Sequence, residues 1–145
     1  MHDITEGYDL VADIEKLGLT WNEDYVAFYD STMARFWFLN ESARTTVELA
    51  LRKHPKGKVL SDTELQQEGI LFDDGMYGEL IFLINSGIQI VPSFMGVKQI
   101  KGMHGYNPAD PDSSASISSN RSLPEDLTKI HQIYHLMQKE LGLSD

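Results

Sequence analysis

Apolar residues recur along this chain at two spacings, and the alternation between them predicts its elements. In YDLVADIEKLG (residues 8–18), Leu10, Ile14 and Leu17 fall at helical spacing, and the run ends at glycine, a common helix stop. DYVAFYDSTMARFWFL (residues 24–39) is instead two aromatic and β-branched runs broken at Asp30-Ser31, which reads as a hairpin. NESARTTVELALRKH returns to helical spacing, with Asn40 as N-cap and Val47, Ala50 and Leu51 on one face, so a helix is expected over residues 41–54. PKGK then reads as a turn and KVLS as a short strand. SDTELQQEG reads as a short helix in which Ser61 and Glu64 have the spacing of a capping box.

The later chain changes character. ELIFLIN (residues 79–85) and IQIVPS (residues 88–93) are short apolar strands separated by Ser-Gly, and such runs suit strands buried on both faces. DPDSSASISSNRSLPED (residues 110–126) reads as a polar loop with room for a short strand at 115–119. From Pro124 the chain reads as a terminal helix whose core stripe is Leu127, Ile130, Ile133, Met137 and Leu141. The class is mixed, α/β or α+β, and periodicity does not choose between them.

Composition narrows the function classes. A chain of 145 residues with 41% hydrophobic content supports one domain with one core. Twelve basic against 22 acidic residues give a net charge of −10, which repels nucleic acid phosphates and anionic membranes, so neither a nucleic acid polymer nor a membrane is an expected partner. The same balance leaves carboxylates for metal binding. With no cysteine there is no disulfide and no thiolate metal site, which agrees with a reducing cytoplasm, the expected location. MHDITEGYDL lacks the apolar core of a signal peptide, and no apolar run approaches the roughly 18 residues of a membrane span.

Few residues have the type and setting for chemistry. His104 lies in GMHGYNPADPD (residues 102–112), between glycines that free the backbone for close approach, at a strand end where a neutral imidazole makes a good zinc ligand. The plainer reading is a turn histidine bonded to its own loop. His131 and His135, four apart on a helix, could clamp a metal but fall beside the core stripe, on a solvated face. Asp30, Asp73 and Asp74 most simply make turns, and His2-Asp3 could bind a metal from a poorly held chain end. Arg35 could contact an anion or simply face solvent. Serines 113–119 lack the glycine elbow of a nucleophile, and no phosphate-cradling glycine loop is present. The aromatics Phe28, Tyr29, Phe36, Trp37 and Phe38 read as core or as cover for a substrate.

GMHGYNPADPD resembles the final metal-binding segment of the type I phosphodiesterase and nucleotide pyrophosphatase family, within the alkaline phosphatase superfamily. In that family a histidine followed by glycine supplies the last ligand of a two-zinc centre, and a short strand and a terminal helix follow. SASISS and LTKIHQIYHLMQKELGL, with the Ile133-Tyr134 pair, are similar in order and kind. At the other end Met1 resembles the methionine of the family's Asp-His-Gly-Met segment, which leads into a small inserted subdomain. DYVAFYDSTMARFWF and the helix after it resemble that subdomain. The resemblance spans essentially the whole chain but only the last third of the family's length.

The resemblance implies an alkaline-phosphatase-like α/β fold, with residues 1–145 a single partial catalytic-domain unit and residues 21–61 an inserted α/β subdomain within it. It implies the C-terminal portion of a metal-dependent phosphodiesterase that is inactive as an isolated chain. Of the family's site only His104 is carried over, as a zinc ligand. The first metal-binding aspartate, the threonine or serine nucleophile, the middle ligands and the Asp-His pair have no counterpart in these residues. The implied chemistry is in-line attack of the hydroxyl on phosphorus, followed by hydrolysis of the phospho-enzyme by zinc-activated water, with the metals stabilising the attacking and leaving oxygens. The implied partners are a phosphate-ester substrate and the missing N-terminal part of the catalytic domain, or other copies joined through exposed strands. Nucleotide diesters, other phosphodiesters, phosphonates and sulfate esters all stay open as substrates. A non-catalytic binding domain of the same descent, and a small metal-binding protein using His104 with His131 or His135, are the other readings.

Overall fold

The computed structural model describes residues 1–143, and the first unit it forms, Met1–Ser114, holds nearly all the regular structure. Its elements are β1 (His2–Asp3), β2 (Glu6–Tyr8), α1 (Leu10–Glu15), β3 (Tyr25–Tyr29), β4 (Met33–Phe38) and α2 (Glu41–Arg52). They continue with β5 (Gly57–Val59), α3 (Asp62–Gln67), β6 (Leu80–Ile84), β7 (Ile88–Ile90) and β8 (Gly102–Met103). The second unit, Ala115–Asp145, carries α4 (Gln132–Glu140). The class is mixed α/β.

Four strands form the main sheet in the order β3-β4-β6-β5, all antiparallel. Alternation sorts their side chains onto two faces. The inner face carries Tyr25, Ala27, Tyr29, Ala34, Phe36, Leu80, Phe82 and Ile84, all buried. Against it come Val47 and Leu51 from the apolar stripe of α2 and Leu10 and Ile14 from α1, in one continuous core. Phe36 and Phe82 are fully buried, each worth about 1.5–3 kcal/mol relative to exposure. The outer face carries Phe28, Arg35, Trp37, Ile81 and Leu83.

The hairpin breaks where Asp30-Ser31 predicted, because the Asp30 carboxylate accepts from the Ser31 N–H at 2.7 Å and turns the chain. Asn40 caps α2 by accepting from Ala43 N. The capping box forms: Ser61 Oγ accepts from Glu64 N at 3.3 Å, and the Glu64 carboxylate accepts from Ser61 N at 2.8 Å. Residues 21–61, however, do not close a sheet of their own. β5 reaches the β3–β4 hairpin only across β6, which enters 42 residues after β4 ends at position 38 and fills the gap between β4 and β5. Gly57 permits that closeness, since a Cβ there would lie 2.5 Å from the Leu83 carbonyl oxygen and closer still to the Phe82 ring.

Three short strands were not predicted. β1 pairs antiparallel with β8, and β2 pairs parallel with β7. They are too short to show a period. In the second unit the expected strand at 115–119 does not form, and the terminal helix is shorter than expected. Its stripe is not a core: Ile130, Met137 and Leu141 are exposed, Leu127 and Ile133 are half-buried, and no residue of α4 is buried. A unit this short has too little surface of its own to cover an apolar face.

Two outcomes follow for stability. Gly57→Ala should cost about 1–3 kcal/mol, read as a lower urea midpoint, because the new methyl has backbone on one side and an aromatic ring on the other. The Lys58 ammonium, with the Ser61 N–H and hydroxyl, holds Glu64 down to about 2 from its ordinary 4.5. The resulting stabilisation is present above pH 4.5 and fades as pH falls toward 2. Wild type and Glu64→Gln should therefore differ in thermal midpoint at neutral pH and converge near pH 2.

Candidate metal centre

The loop around His104 is held at both sides. Before it, β8 lies against β1 with Met103 opposite His2, and Ile4 N donates to the Lys101 carbonyl at 2.9 Å. After it, the Gly105 carbonyl accepts from Thr32 Oγ at 2.9 Å, and Gly105 has a φ of +92°, a region that favours glycine. Next, Tyr106 is buried at 3% exposure, and its hydroxyl donates to the Ile88 carbonyl at 2.8 Å. Burial pushes that phenol up to about 12. Between these fixed points the His104 side chain is exposed, with no hydrogen bond, ion pair or ring contact among the described residues. It is not bonded to its own loop.

The same strand pairing gathers a second set of groups. His2 Nε2 lies 3.0 Å from Asp110 Oδ1, and its Nδ1 lies 3.5 Å from Asp112 Oδ2. One ligand atom from each of the three residues falls within 4.8 Å of the others. His2 is packed edge-on against Tyr106, with ring centroids 5.0 Å apart. Asp110 Oδ2 accepts from Ser86 Oγ at 2.7 Å, and Oδ1 from Asp112 N at 3.0 Å. Ser86, the Asp112 N–H and the nearby His2 keep the Asp110 carboxyl below the usual carboxylate range. Of these three residues the sequence drew attention to His2, and it set Asp110 and Asp112 within the loop of His104 without assigning them a role. The signal that joins them is the β1–β8 pairing, two residues long on each side.

The other residues singled out in the sequence lie apart. His131 and His135 are exposed in the second unit. Asp30 caps its turn, Asp74 accepts from Met76 N at 3.0 Å, and Asp73 is exposed. Arg35 does not face solvent freely: its guanidinium lies between the rings of Phe28 and Tyr77, 4.8 and 4.9 Å from their centroids. Its Nε is buried without a hydrogen-bond partner among the described residues. Of the aromatics, Tyr29 and Phe36 are core, Phe38 stacks on Phe36, and Trp37 donates from Nε1 to the Gly75 carbonyl at 2.8 Å.

One polar cluster was not foreseen at all. The Tyr8 hydroxyl donates to Asp13 and lies 3.1 Å from His54 Nε2, which is also 3.5 Å from Asp13 Oδ2. Tyr8 comes from β2 and Asp13 from α1, while His54 follows α2. Only the parallel pairing of β2 with β7 and the docking of α2 bring the third member in. The Asp13 carboxylate accepting the phenol proton, with burial, pushes Tyr8 up to about 12. Lys16 and the Tyr8 hydroxyl in turn lower Asp13.

Comparison with protein-family models, with curated proteins and with solved structures found no match for the chain. Among the described residues no helix is long and apolar enough to cross a membrane.

The Tyr8 contact is open to titration. Asp13→Asn should bring the Tyr8 phenol down from about 12 toward its ordinary 10, followed by NMR of labelled tyrosine. The stabilisation from a raised phenol is present below pH 10 and lost as pH rises toward 12, so the two proteins should differ in stability at neutral pH and converge in strong alkali. A Tyr8 titration that Asp13→Asn leaves in place would refute the assigned cause.

Proposed function

We propose that this chain is the C-terminal portion of a metal-dependent hydrolase of the type I phosphodiesterase class, with an alkaline-phosphatase-like fold, and that His104 is its contribution to the metal centre. The observation that carries this reading is the state of His104: the backbone on both sides is fixed to the body, yet the imidazole is exposed and unengaged among the described residues. A histidine kept only for its turn would bond within that turn.

Two further observations support it. The β1–β8 register sets His2 opposite Met103, so the start of β1 runs toward His104. The resemblance places an Asp-His pair just before the methionine that Met1 resembles, which is the end of β1 the register brings there. β2 and β7 form a parallel pair of only two strands, and parallel strands are characteristic of larger sheets covered on both faces. Both features suit a chain completed by further residues.

A single imidazole fits the role of last ligand, and it does not hold zinc by itself, since zinc sites use three or four protein ligands. Zinc, when bound, polarises a phosphoryl oxygen. The part of these residues is to hold the His104 imidazole at a fixed place, through Gly105, Tyr106 and the β1–β8 pair. The substrate class is a phosphate ester.

The test begins with the coding DNA ahead of Met1. An open frame ending in Asp-His-Gly codons supports the reading, and an in-frame stop close upstream overturns it. In the protein so extended, hydrolysis of bis-p-nitrophenyl phosphate should appear where residues 1–145 alone show none. His104→Ala should lower bound zinc and activity by at least about tenfold. Unchanged zinc content in that variant also refutes the assignment.

A further inference from the structure

Three groups with metal-ligand chemistry converge at the foot of the β1–β8 pair, and His104 is not one of them. His2 offers an imidazole, and Asp110 and Asp112 offer carboxylates, with the closest approaches at 3.0 and 3.5 Å. Each residue offers one ligand atom, and the three atoms lie within 4.8 Å of one another. An ion with tetrahedral bonds of about 2.1 Å separates its ligands by roughly 3.4 Å, so binding draws the two carboxylates in around one ring nitrogen. Asp112 has 64% of its side chain exposed and is free to rotate inward.

Hydrogen bonding within the cluster does not account for it. Among the described residues His2 Nε2 is buried from solvent without a hydrogen bond of good alignment, although Asp110 Oδ1 is only 3.0 Å away. The imidazole is not free to swing toward it: its backbone is fixed in β1, and its ring packs edge-on to the buried Tyr106. An ion between nitrogen and oxygen would engage both lone pairs without that alignment.

The surroundings are those of a ligand set. Ligating carboxylates are themselves hydrogen-bonded, which fixes their direction. Asp110 accepts from Ser86 Oγ and from Asp112 N, so its oxygens are oriented from behind. Asp110 also lines a cavity of about 250 Å³, whose other polar walls are Lys58, Asn85, Ser86 and Asn107. The chain's net charge of −10 favours a cation.

We propose that His2, Asp110 and Asp112 bind one divalent cation of the zinc and manganese class. One imidazole with two carboxylates suits these ions, whereas calcium and magnesium favour all-oxygen shells. The ion ties the segment entering β1 to the loop that follows His104. It is a site of residues 1–114 and needs no residue of the second unit.

The experiment is isothermal titration of the full chain, freed of any histidine tag, with zinc chloride and with manganese chloride, alongside thermal melts. One ion of either metal should bind per chain and raise the melting temperature. Asp112→Asn should weaken binding by about tenfold or more while leaving the metal-free melt unchanged, because Asp112 is exposed. His2→Gln should weaken it likewise, and His104→Ala should leave it intact. No saturable uptake by the wild type overturns the proposal, as does uptake that Asp112→Asn leaves unchanged. Uptake lost only in His104→Ala overturns it too, and assigns the ion to that histidine instead.

Discussion

The burial of β6 on both faces is the constraint on which the rest of the first unit depends. All five residues from Leu80 to Ile84 are buried, at 8% exposure or less, so this strand must lie inside a sheet and under cover. No edge position would satisfy it. It therefore separates β4 from β5 and makes one sheet from a hairpin and a strand that otherwise share no hydrogen bonds. The inner side of β6 gives Phe82 to the core beneath α2, and the outer side gives Ile81 opposite Arg35.

From β6 the chain has little freedom. The turn after Ile84 sends β7 past the hairpin, where Ile90 N donates to the Ser31 carbonyl at 2.8 Å, and β7 then takes β2 as its parallel neighbour. Tyr106 reaches back to the Ile88 carbonyl, so the loop carrying His104, Asp110 and Asp112 is referenced to β7 rather than to its own turns. Thr32, at the hairpin turn, fixes Gly105. Ser86, just before β7, donates to Asp110, so side-chain hydrogen bonds from Thr32, Tyr106 and Ser86, with the β1–β8 pairing, set the position of the site.

Electrostatics and packing divide the work around that frame. The ionic contacts of Lys56 with Glu6 and of Lys16 with Asp13 lie at the surface, where such pairs add little to stability and serve to hold local geometry. The guanidinium of Arg35 is different. Between two rings, with its Nε buried, it is held mainly by packing and by cation–π attraction. Arg35 alternates with Ala34 and Phe36 along β4, so strand alternation fixes which face it takes, while Tyr77, far along the chain, decides what it meets.

Much of the fold was legible because the signals are local. The hairpin break at Asp30-Ser31, the Asn40 cap, the Ser61–Glu64 capping box and the apolar run of β6 each depend on residues within a few positions of one another. Strands of two and three residues, such as β1, β2 and β8, carry no period, so their pairing was invisible. The stripe of α4 had the right spacing, but spacing does not say whether anything lies against it. For the site, the sequence marked His104 and noticed His2, since glycines and residue type are written in the chain. That Asp110 and Asp112 stand beside His2, and that His54 joins Tyr8 and Asp13, was decided only by tertiary structure. These contacts join residues 41 to 110 positions apart, and nothing in the local preferences of a chain encodes which distant segments the closing of a sheet will bring together.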